Sequence, residues 1–98
     1  MSYRIWWQWN DGLSGHIWLS ADDLRRLTEE MLTQGMPWPS ERLSAAETRD
    51  VVVTPQELEV VLETASAEPV SLRDSKLWQE WLAFLESGVH KGGILIRA

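Results

Sequence analysis

Apolar and polar side chains alternate through the first nine residues, and that period of two constrains the fold more than any other feature of this chain. Tyr3, Ile5, Trp7 and Trp9 fall on one face of an extended strand, and Arg4, Trp6 and Gln8 on the other. Asn10-Asp11-Gly12 follows, a turn signal in which the glycine takes a positive φ at no steric cost. A second alternating run, His16-Ile17-Trp18-Leu19, then brings the chain back. A three-residue loop with Gly12 left-handed pairs Trp9 with Leu13, Trp7 with Gly15, Ile5 with Ile17 and Tyr3 with Leu19. The same register sets Trp6 opposite His16 and Trp18 opposite Arg4 on the second face. A two-residue Asp-Gly turn shifts the pairing by one and mixes His16 and Trp18 into the apolar set. A one-residue slip turns every side chain to the other face, so the three-residue loop is the expected one.

Seven tryptophans in 98 residues sharpen the question of which face is the core. Each indole buries roughly 150 to 250 Å². At about 25 cal/mol per Å² that is roughly 4 to 6 kcal/mol of gross burial per ring. A small domain with about 5 to 15 kcal/mol of net stability cannot leave most of them in water. Trp7, Trp9, Trp78 and Trp81 are therefore expected in the core. Trp6 and Trp18 sit instead with Arg4, Gln8 and His16, close enough for stacking and a cation–π contact. Two exposed indoles add about 300 to 500 Å² of apolar surface, close to the largest patch a monomer ordinarily shows. Two readings of this second face stand side by side. Either a helix or the 35–50 segment folds over it or the cluster simply covers itself, or it is an aromatic and polar platform for a protein, a sugar or a planar ligand.

Beyond the hairpin, Ser20 with Asp22 and Asp23 starts a helix, as a cap with acids near the positive end of the dipole. Leu24, Leu27, Met31 and Leu32 line one of its faces, and Gly35 ends it. Residues 35–50 form a long connection in which Trp38, held extended between Pro37 and Pro39, can pin the loop to the core, and Ser44-Ala45-Ala46-Glu47 can begin a short helical turn. Val51-Val52-Val53 is a β-branched third strand. Thr54-Pro55-Gln56-Glu57 combines a threonine cap, proline at the first helical position and a glutamate placed for a capping box. Leu58, Val61, Leu62 and Ala65 form that helix's buried stripe, and Glu68-Pro69 stops it. A last helix begins between Ser71 and Ser75 and turns Leu77, Trp78, Trp81, Leu82 and Leu85 inward beside Phe84. Ser87-Gly88 is its expected end, and Gly92-Gly93 releases Ile94-Leu95-Ile96-Arg97 as a strand beside the first. The whole reads as a single α+β domain over residues 1–98: a three- or four-stranded, mainly antiparallel sheet with about three helices mainly on one face.

Chemistry is scarce. With no cysteine there is no disulfide, thiolate metal site or cysteine nucleophile. His16 and His90 are the only histidines and have no metal-ligand spacing, so neither a metal nor a cofactor is expected. Asp22 and Asp23 read as first-turn charges, and Glu59 and Glu63 as the solvated side of a helix. Ser14, Ser20 and Ser87 lack the partners of a nucleophile. The glycine-rich run 88–93 follows a helix, whereas phosphate cradles precede one. A net charge of −6 argues against nucleic acid, and no apolar run reaches membrane-spanning length, which points to a cytoplasmic protein.

These exclusions leave a non-enzymatic module that binds another protein, or its own copy as a homodimer, through Arg4, Trp6, Gln8, His16 and Trp18. One alternative is a ligand-binding or enzymatic pocket between the hairpin and the 35–50 segment, with Trp38 as lid and His16 or His90 as proton carrier. Another is an immunity- or antitoxin-like inhibitor. It would turn residues 41–70, with seven acidic and two basic side chains, towards a basic partner.

Overall fold

The computed structural model describes residues 2–9, 15–43 and 49–97. Four antiparallel strands, β1 (Ser2–Trp7), β2 (His16–Ser20), β3 (Val51–Val53) and β4 (Ile94–Arg97), form one sheet in the order β2-β1-β4-β3. The hairpin register is the expected one: Tyr3 opposes Leu19, Arg4 opposes Trp18, Ile5 opposes Ile17 and Trp6 opposes His16. The Trp7 N–H donates to the Gly15 carbonyl, continuing that register past the strand. The loop itself, with the Trp9–Leu13 pairing, lies outside the described residues. β4 occupies the interior place beside β1, as its apolar run requires on both edges.

Helices α1 (Ala21–Thr33), α3 (Pro55–Thr64) and α4 (Ser75–Val89) cover the face that carries the odd-numbered residues of β1. That face holds Ile5, Leu19, Val51, Val53, Ile94 and Ile96, all buried against Leu24, Leu27, Met31, Leu58, Val61 and Leu85. Both expected caps form: the Ser20 hydroxyl accepts from the Asp23 N–H, and Thr54 and Glu57 complete the capping box. α4 is capped by the Asp74 carboxylate, which accepts from the Leu77 N–H. A file of rings crosses the core from the sheet through α4. Trp7 stacks on Phe84 at 5.3 Å, Phe84 lies 6.3 Å from Trp81, and Trp81 meets the edge of Trp38 at 5.8 Å. Three indole N–H groups find partners at hand: Trp7 donates to the Phe84 carbonyl, Trp78 to that of Ser66 and Trp81 to the Met31 sulfur.

Three expectations need correction. Trp9 is not core but 70% exposed, beyond the end of β1. Its indole instead covers the backbone of the turn before β4, so close that a Cβ on Gly92 would stand 2.7 Å from the ring. Leu32 is exposed at the edge of α1. Gly88 does not end α4; it is buried in the last turn, where a Cβ would come within 2.9 Å of Ile94 and 3.2 Å of Leu58. A glycine there lets the helix approach β4 and α3 closely. In the long connection a single helical turn, α2, forms at Ser40–Leu43, and the expected turn at 44–47 falls outside the described residues.

Glu30 is the buried charge of the fold, with no solvent exposure on the inner side of α1. Its two carboxylate oxygens accept from the N–H groups of Val70, Ser71 and Leu72, from the Ser71 hydroxyl and from the Gln34 amide, at 2.6–2.9 Å. Burial pushes its pKa up, but the converging donors outweigh it and hold the carboxyl at about 2. Glu30 thereby ties the segment joining α3 to α4 to α1, and Gln34 at the end of α1 adds to the tie by accepting from the Ser66 N–H.

Candidate functional site

The other face of the sheet carries no helix on the described residues. Pleating projects the even-numbered residues of β1 outward, and antiparallel pairing extends them into two cross-strand rows. One row runs His16, Trp6, Leu95, Val52; the other begins Trp18, Arg4, Arg97 and continues to Asp50 at the β3 edge. Trp18 is 53% exposed, Arg4 and His16 are exposed, and Trp6, Leu95 and Val52 are half-buried among their neighbours.

Cations organise the aromatics. The Arg4 guanidinium lies 4.2 Å above the Trp18 ring, and that of Arg97 lies 5.3 Å from Trp6. Arg97 also donates from Nε and from one terminal nitrogen to the two Asp50 oxygens, each at 2.7 Å. This bidentate pair holds the Asp50 carboxyl below its ordinary range and raises Arg97. Between Trp6, Gln8, Leu95 and Arg97, with Trp7 at the margin, the surface sinks into a shallow depression of about 240 Å³.

No protein-family model, curated protein or solved structure matches this chain.

Five of the six residues singled out in the sequence thus share one side: Arg4, Trp6, Gln8, His16 and Trp18. The sixth, Trp38, lies in the core at 4% exposure, packed on Trp81, with its indole nitrogen buried and unpaired among the described residues. It pins the 36–39 segment to the helices, which corrects its place among the binding residues. His16 is on the opposite side of the sheet from Trp38, and His90 caps the C-terminus of α4, so the parts of the proposed lidded pocket do not converge. Among the described residues no cluster of three His, Cys, Asp or Glu side chains is placed to hold a metal ion.

Leu95, Arg97 and Val52 belong to the outer face and were not singled out from the sequence. The alternation in Ile94-Leu95-Ile96-Arg97 signals that two of the four share a side. Which side they share depends on the register between β4 and β1, where Trp6 opposes Leu95.

Proposed function

We propose that this protein is a non-enzymatic interaction module whose outer sheet face is its contact surface for another protein. The observation that supports the reading is the composition of a face left uncovered by the described residues: two tryptophans, two arginines, a leucine and a valine in adjacent rows. Tryptophan and arginine are the residues that most often dominate the energy of protein interfaces, and they do so when grouped around a pocket that an anchor side chain fills. The Trp6–Gln8–Leu95–Arg97 depression has that form. A second depression of about 230 Å³, lined by Tyr3, Leu24, Thr28 and Leu43, is rimmed by Arg25 and Glu29, which are already paired to each other at 2.9 Å.

The test separates binding from stability. Replacing Trp6 and Trp18 together by serine is expected to leave the melting temperature within about 5 °C of the parent, as for surface changes of under about 1 kcal/mol. The same variant should lose the protein that the parent retains on affinity capture from its native cell and that mass spectrometry identifies. A fall of many degrees in the isolated variant, or undiminished retention of that protein, overturns the reading.

A further inference from the structure

We propose that the outer face receives an acidic segment of a protein partner, with a carboxylate on Arg4 and a bulky apolar side chain in the depression between Trp6, Gln8, Leu95 and Arg97. This rests on the reading of that face as the contact surface and adds the chemistry of what binds there.

The arrangement of charge carries the argument. Arg4 and Arg97 are direct partners across β1 and β4, so two guanidinium groups stand side by side on an open face. Like charges directly opposite in a sheet repel, and such a pair persists where counter-charge is supplied. Asp50 supplies it to Arg97 through both oxygens. Arg4 leans on the Trp18 ring and has no ion pair among the described residues. His16 adds a further nitrogen donor two residues along β2 from Trp18. A chain of net charge −6 thus turns towards solvent a face on which the one carboxylate in the two rows is already committed to a cation. An anion on Arg4 completes the row, and a side chain on the neighbouring depression buries apolar surface of Trp6 and Leu95.

Area favours a segment over a second copy of the chain. Four strands about 4.8 Å apart, with runs of three to six residues at about 3.3 Å each, span roughly 300 Å². That is under half of the ~800 Å² each partner contributes to a stable interface of ordinary size. A helix about 10 Å across, or a single extended strand, is matched to it. Nucleic acid fits less well. Its affinity comes from releasing counterions, which takes several free cations, and here one of two arginines is neutralised within the protein.

The experiment is a selection of random 12-residue displayed peptides on the full chain, with each selected peptide measured against Arg4→Ala and against the Trp6→Ser, Trp18→Ser double variant. The expected peptides carry more Asp and Glu than Lys and Arg, include a bulky apolar residue, bind Arg4→Ala about tenfold more weakly, and do not bind the double variant. Peptides that need both tryptophans but show no acidic bias or no dependence on Arg4 overturn this inference and leave the contact surface standing. If no selected peptide depends on the tryptophans, both fall. Tryptophan-dependent binding of a random 20-nucleotide single strand assigns the face to nucleic acid. Dimerisation seen by light scattering and abolished by the double variant assigns it to a second copy. Either result overturns the proposal.

Discussion

Ile5 and Trp6 are consecutive in β1, yet one is sealed under three helices and the other looks outward beside a guanidinium. Both faces of this sheet carry tryptophan, and they put it to different uses. On the inner face the rings of Trp7, Phe84, Trp81 and Trp38 follow one another through the core, and three of the four come from helices or the connection rather than from the sheet. On the outer face each indole is bounded by a cation instead of by another element. Burial by packing is a property of the whole fold. Partial cover by arginine is local, and a competing contact can displace it.

The largest break in that comparison is expected from Trp78→Ala. The side chain is fully buried and its indole donates to Ser66, so truncation leaves a cavity and an unpaired carbonyl. A loss of about 3 to 5 kcal/mol is expected in urea unfolding. A loss below about 1 kcal/mol would mean that the inner face is no better packed than the outer.

Glu30 comes next. Its folded pKa of about 2 lies below the ordinary 4.5, so its stabilisation is whole above about pH 4.5 and fades as pH falls from there towards 2. The difference corresponds to about 3 kcal/mol. Glu30→Gln is expected to cost a similar amount at neutral pH and to flatten the acid limb of the stability profile. Equal acid limbs in parent and variant would show that the carboxylate does not hold the 70–72 segment.

The outer face should respond far less. The loss of Trp6 and Trp18 together is expected at under about 1 kcal/mol, with its consequence read in binding. Smallest of all is Asp50→Ala, which removes an exposed ion pair with Arg97 and is expected to shift the urea midpoint barely measurably, and less still in high salt. A salt-independent loss as large as that of Glu30→Gln would make the outer row structural after all.

Much of this was legible from local chemistry. The hairpin register follows from alternation, because a slip would expose Ile5 and bury Arg4. The starts of α1 and α3 follow from Ser20 and the Thr54–Glu57 capping box, whose hydrogen bonds are made within four residues. Five outer residues follow from the same parity. Trp9 was misread because parity says which way a side chain points and not whether anything lies above it. Gly88 was misread because a glycine that stops a helix and one that lets a helix approach a strand look alike until the strand is in place.

By itself the sequence determined the strands and the three long helices, the caps that start α1 and α3 and the sidedness of the hairpin, all of which depend on backbone geometry and neighbours a few residues away. Only the tertiary structure decided that Leu95 and Arg97 join Trp6 and Arg4, that Trp38 ends in the core, and that Glu30 is buried against backbone N–H groups forty residues distant. Those outcomes depend on which surfaces meet after long loops have closed, and a residue's own type does not encode what will pack against it.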